Sequence, residues 1–150
     1  MAKVSWTAES EPHDYPAAAA YLSLLLGDAT VVDQLVAALR LAEPTHHQAK
    51  DLLRAAGLRL LPVRNPHVAS DLRKIRRRKQ LSPVLLVRGS LTQGFPLQIA
   101  DGYHRICASY HTDEDTDIPC RLVDLPVGAA VPGKPAAAAS RRSSPANRNG

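Results

Sequence analysis

Aromatic residues are scarce in this chain, with one Phe, one Trp and four Tyr among 150 residues. So few rings leave no interleaved platform on which the bases of a single strand could stack. Cysteine is scarcer still. Cys107 and Cys120 are too few for a disulfide framework or a zinc finger. No stretch approaches the roughly 20 unbroken apolar residues of a membrane span. The longest candidate, Ala17 to Leu26, is about half that length and is interrupted by Tyr21 and Ser23. The start of the chain lacks a signal-peptide pattern, because Met1 to Trp6 runs directly into Glu9, Glu11 and Asp14. These absences predict a soluble, cytoplasmic protein with no membrane partner.

Acidic residues are absent beyond Asp124, where Lys134, Arg141, Arg142 and Arg148 remain. Those four cations carry most of the formal net charge of +5, so the high pI does not describe a basic domain. Within the body, cations are bunched in Arg73-Lys74-Ile75-Arg76-Arg77-Arg78-Lys79. Arg73, Arg76, Arg77 and Arg78 are therefore candidates for nucleic-acid phosphate contact. The plainer reading of such a run is a solvated helix face.

A chain of 150 residues that is 45% hydrophobic can bury about 70% of its unfolded surface and needs no staple to fold. Residues 1–13 lack periodicity and are expected to form a flexible leader. Residues 14–57 read as a helical unit: Asp14 is a candidate cap, Gly27-Asp28 divides the first two helices, and Thr45 is a candidate cap for a third that closes at Gly57. From Leu58 the pattern turns mixed. Leu58 to Val63 reads as a strand, Asn65-Pro66 as a turn and cap, and Val68, Leu72 and Ile75 as a short amphipathic helix. Val84 to Val87 is a buried strand, Pro96 to Ala100 its hairpin partner, Tyr103 to about Tyr110 a helix, and Ile118 to Val123 a last strand. Pro119 suggests a sheet edge or a strand start. The fold class is thus α+β: a small mixed sheet with short helices over residues 58–125, preceded by the helical unit. Residues 126–150 hold four Pro, a run of four Ala and Ser-Arg-Arg-Ser-Ser, the composition of a disordered basic tail.

The sharpest feature is Ile99-Ala100-Asp101-Gly102-Tyr103-His104-Arg105. A strand ends in Asp-Gly and a helix follows at once with His104 and Arg105 in its first turn. A helix N-terminus presents unpaired N–H groups and a partial positive charge, which favour phosphate. Gly102 allows a sharp turn, Arg105 adds a planar multi-donor cation, and His104 a donor that titrates near neutrality. Asp101 could cap the helix, hold a metal or accept a proton. The plainer reading makes Asp101 a cap, with His104 and Arg105 solvated or paired to the acidic loop Asp113 to Asp117.

The order of elements from about Leu58 to Leu125 resembles the partition-protein-B/sulfiredoxin-like superfamily. The match runs through Asn65-Pro66-His67, Leu81 to Val87, Asp101-Gly102-Tyr103-His104-Arg105 and Ile118-Pro119-Cys120-Arg121. The resemblance implies nucleotide phosphate binding at this turn by Gly102, Tyr103, His104 and Arg105, with a nucleoside triphosphate and magnesium as cofactors. Asp101 would be the catalytic candidate for phosphoryl transfer or nucleotide hydrolysis. Departures narrow this. Tyr103 stands where sulfiredoxins carry their cysteine, so peroxiredoxin repair is not expected. The glutamate-plus-double-arginine box of the partition proteins is absent. The variant is closest to the Asp-Gly-His-His-Arg pattern of free serine kinases, with Tyr103 for the first His and no counterpart to their upstream glutamate. The alternative reading is a non-catalytic DNA- or partner-binding protein that uses the 73–79 helix and the tail.

Overall fold

Val84, Leu85, Leu86 and Val87 are all buried, and the reason organises the whole fold. Alternate side chains of a strand point to opposite faces. Val84 and Leu86 belong to one apolar cluster, Leu85 and Val87 to another. Both faces of the sheet are therefore covered by helices, which is why this strand is continuously apolar. In the computed structural model, which describes residues 3–126, the elements are α1 (Asp14–Leu25), α2 (Ala29–Leu41), β1 (Thr45–Gln48), α3 (Ala49–Ala56), α4 (Pro66–Arg76), β2 (Val84–Val87), β3 (Gln98–Asp101), α5 (Tyr103–Thr112) and β4 (Asp117–Val123). This is an α+β fold. The sheet runs β1-β4-β2-β3, with β2 and β4 parallel and the outer pairs antiparallel.

α1 and α2 pack on the face that carries Leu85, Val87 and Ala100, through Ala18, Leu22, Val32, Leu35 and Leu39. α3, α4 and α5 cover the other face, where Val84, Leu86, Ile99, Ile118 and Cys120 meet Leu52, Leu53, Val68, Ile75 and Ile106. The segment read as a separate helical unit is thus part of one sheet's core, and it also supplies a strand. Thr45 does not cap a helix. His46 and His47 pair with Pro119 and Ile118 in β1. β4 is accordingly interior rather than an edge, and Pro119 is tolerated one residue before β2 comes alongside at Cys120.

Two further expectations are corrected. Leu58 to Val63 forms no strand among the described residues. Leu60 and Leu61 pack on the core, but side chains of α5 meet their backbone: Tyr103 Oη donates to the Arg59 carbonyl at 2.6 Å, and His111 Nε2 lies 2.7 Å from the Leu61 carbonyl. The leader is not loose either. The Thr7 N–H donates to the Leu81 carbonyl and the Leu81 N–H to the Ser5 carbonyl, a bridge on either side of Trp6, and Arg121 Nη2 donates to Glu9 at 3.0 Å. Arg121 is buried and its Nη1 also donates to the Ala42 carbonyl beyond α2. The expected basic tail lies outside the described residues.

α4 begins as expected, with Asn65 accepting from the amides of His67 and Val68 and Pro66 in the first turn. It closes with Lys79 N–H donating to Lys74 O, Arg78 N–H to Ile75 O, and Arg78 held left-handed at φ 59°. Glycine is the cheap residue for that closing position. Arg78→Gly is expected to raise stability by about 0.5–1 kcal/mol in a urea titration, the usual size of a relieved left-handed strain. A neutral or destabilising result would mean that the Arg78 side chain contributes contacts which offset its strain.

Candidate functional site

The Asp101-Gly102 turn joins β3 to α5, and Gly102 is required there on two grounds. Its φ is +114°, and an added Cβ would lie 2.5 Å from Val84 Cγ1. The chain therefore turns tightly over the buried start of β2. Asp101 does not cap the helix. Its Oδ2 accepts from Arg105 Nη2 at 2.9 Å, and Gly102, with no side chain, occupies the capping position. The first intrahelical bond runs from Ile106 N–H to the Gly102 carbonyl. With no side-chain cap, the amides ahead of it stay available to an anion.

Arg105 is placed differently from the expectation. Its guanidinium borders the cavity, but Nη2 turns inward, to Asp101, to the Pro83 carbonyl at 3.1 Å, and to Asp14 at 3.9 Å. The acidic loop has no part in this. Asp115 pairs with Lys50 instead. Asp14 is 1% exposed; its Oδ2 also accepts from Ser82 Oγ at 2.8 Å and from the Glu11 amide. Sequence reasoning took Asp14 for a helix cap, and only the fold shows it beneath the turn. Burial is the main force raising the Asp101 carboxyl above its ordinary range, with Arg105 pulling the other way.

The cavity beside the turn measures about 210 Å³ and is lined by His67, Ser70, Asp71 and Lys74 from α4 and by Asp101, Gly102, His104 and Arg105. The His67 and His104 rings lie 4.7 Å apart. Burial is the first cause that lowers the His104 pKa, and the neighbouring His67 the second; Asp71 opposes them. Ser70 and Asp71 had no signal of their own in the sequence; His67 entered only as part of the Asn65-Pro66-His67 match and Lys74 only as one of the basic run. Their spacing of three and four residues would have shown one helix face, but nothing in it says which face meets the Asp-Gly turn. Asp71 is largely buried, burial raises its pKa, and Lys74 lies 3.7 Å away.

Tyr103 does not join the cavity lining, because its hydroxyl is spent on Arg59. Cys107 and Cys120 sit together in the core, and burial pushes the Cys107 thiol up and that of Cys120 up to about 12. Neither is poised as a thiolate. Arg73, Arg76, Arg77 and Arg78 are exposed on and just beyond α4. A larger pocket of about 380 Å³ at the other end of β2, walled by Leu52, Leu86, Phe95, Leu97 and Leu122, is mainly apolar. The convergent polar groups are at the smaller cavity.

The chain is therefore an α+β domain with a small polar cavity at a strand-to-helix turn. A scan against protein-family models and searches of curated proteins and of solved structures returned no significant match to it.

Proposed function

We propose that the protein binds a phosphate group of a nucleotide-type ligand in the cavity between α4 and α5. The observation that carries this reading is the uncapped α5 N-terminus opening on a cavity that also holds Lys74, Ser70 and two adjacent imidazoles. Backbone amides, an ammonium and protonatable rings together make an anion site. The resemblance to the partition-protein-B/sulfiredoxin-like superfamily points the same way for Gly102 and His104.

The carboxylates set the conditions. Asp101 is held by Arg105, which leaves Asp71 as the better candidate to accept a proton if the phosphoryl group is transferred. A magnesium ion arriving with a triphosphate also suits Asp71, since that ion is commonly held by one or two carboxylates plus the phosphates, whose charge it neutralises. Among the described residues, no group of three His, Cys, Asp or Glu forms a protein-only metal site.

Titration calorimetry with inorganic phosphate tests the reading. His104 faces His67, Asp71 and Arg105, and burial first and His67 second lower its pKa, which favours the neutral ring near pH 7.5. An anion favours the protonated ring, so at constant ligand charge, checked with sulfate, which does not titrate in this range, affinity is expected to rise as the pH falls from 7.5 to 6. Burial raises the carboxyls of Asp71 and Asp101, and protonation of either would remove negative charge from the cavity wall. His104→Ala should weaken binding at pH 6 by about 1.5–3 kcal/mol, the scale of a charge-assisted hydrogen bond. It should also flatten the pH dependence. Affinity indifferent to both pH and His104 would remove the imidazole from the site.

A further inference from the structure

The cavity is smaller than the roughly 300–1,000 Å³ of a drug-sized ligand pocket, so the body of a phosphorylated ligand has to lie outside it. What lines the way out then decides what that body is. On α4 the cavity-lining positions His67, Ser70, Asp71 and Lys74 recur at helical spacing along one face. One turn past Lys74, that side of the helix continues to Arg77, whose φ of −88° and ψ of 8° keep it close to the helical course. Arg73 lies on the flanking row, three residues after Ser70, whereas Arg76 falls on the opposite side. Arg73 and Arg77 are exposed, and no carboxylate pairs with either among the described residues. No large apolar or aromatic side chain other than the two histidines borders the cavity to shelve a base. The surface leading away from the phosphate cavity is cationic, which fits a ligand that goes on being anionic.

Resting on the phosphate-binding reading above, we propose that the ligand is the phosphorylated end of a nucleic-acid strand. The terminal phosphate enters the cavity, and the next backbone phosphates follow Lys74, Arg77 and Arg73 along α4. Arg73 and Arg77, four residues and about 6 Å of helix rise apart, suit phosphates separated by a sugar; directly bonded phosphates of a polyphosphate chain are closer together than that. Readout of the end and attraction to the backbone are then parts of one surface.

The test is fluorescence anisotropy on the full chain with thymidine strands of about ten nucleotides, ending in a 5′-phosphate, a 3′-phosphate or hydroxyls only. Sequence-independent attraction to the backbone, including any from the basic C-terminal residues, is common to all three and cancels in their ratio. One phosphorylated end is expected to bind about tenfold tighter than the hydroxyl-ended strand. Excess inorganic phosphate should abolish that preference, and His104→Ala should reduce it. Arg77→Gln should lower the salt slope for the phosphorylated strand by about 0.7, one single-strand charge's worth. Equal affinity for all three strands while inorganic phosphate still binds would overturn the strand-end proposal and leave the phosphate reading standing. Tighter binding of inorganic polyphosphate than of either phosphorylated strand would overturn it as well. Failure of inorganic phosphate to bind in calorimetry would remove both.

Discussion

Replacing Arg105 with methionine is expected to lower folding stability by about 3–5 kcal/mol, the cost of leaving buried charge without its partner. Among the described residues Arg105 is the only cation within ion-pair distance of Asp101, and it also faces Asp14, whose side chain is 2% exposed. The substitution keeps most of the side-chain volume, so the loss reports charge and hydrogen bonding rather than a cavity. It strips the donor from Asp101 and from the Pro83 carbonyl together. The pH dependence identifies the cause. Burial already raises the Asp101 carboxyl against the pull of Arg105, and without Arg105 it would rise further. A carboxyl whose folded pKa lies above its unfolded value binds more protons when folded, so its cost is greatest above the folded pKa and fades as the pH falls through it. The gap between wild type and Arg105→Met should therefore be wide at pH 7.5 and narrower at pH 5.5 in guanidinium titrations. A deficit below about 1 kcal/mol at both pH values would show that the ion cluster does not hold the turn. This cluster also makes Arg105 a poor choice for testing ligand contact, since its loss disturbs the turn before it disturbs binding.

Gly102→Ala is expected to lower stability by about 2–5 kcal/mol through two separable effects. At φ +114° an L side chain is strained, which costs on the order of 1–2 kcal/mol. The new methyl would also lie 2.5 and 2.8 Å from Val84 Cγ1 and Cβ, at a side chain with no exposed surface and no room to retreat. Overpacking of this kind adds about 1–3 kcal/mol. Gly94→Ala provides the comparison, because Gly94 also has a positive φ, +80°, but nothing lies within 4 Å of its added Cβ. It should show the strain alone, about 1 kcal/mol. Pairing Gly102→Ala with Val84→Ala should cost less than the two single substitutions summed, because each relieves the other's misfit. Equal losses at Gly94 and Gly102 would mean that the turn can move away from β2.

Some of this architecture is determined by the sequence read locally. Asn65-Pro66 starts α4 because Asn65 supplies the acceptor and Pro66 needs no amide partner. The unbroken Val84 to Val87 run forms a strand with two covered faces. Asp101-Gly102 marks a strand-to-helix turn because glycine alone tolerates that φ. Each of these signals is contained in a few adjacent residues, so backbone chemistry and side-chain alternation suffice to read it.

What the tertiary structure decided are the pairings between distant segments. Leu58 to Val63 has a strand's composition, yet the sheet ends at β1 and β3, and side chains of α5 take up two of the segment's carbonyls instead. His46-His47 looks like the start of a helix until Pro119 and Ile118 lie beside it. Asp14 has the same local signature as an ordinary helix-start acid; its burial under Ser82 and Arg105 depends on residues 68 and 91 positions away. Asp71 and Lys74 enter the candidate site only because α4 packs against α5 with that face turned to Gly102. Burial and charge pairing are sums over neighbours, and in this chain most of the neighbours that matter come from elsewhere in the sequence.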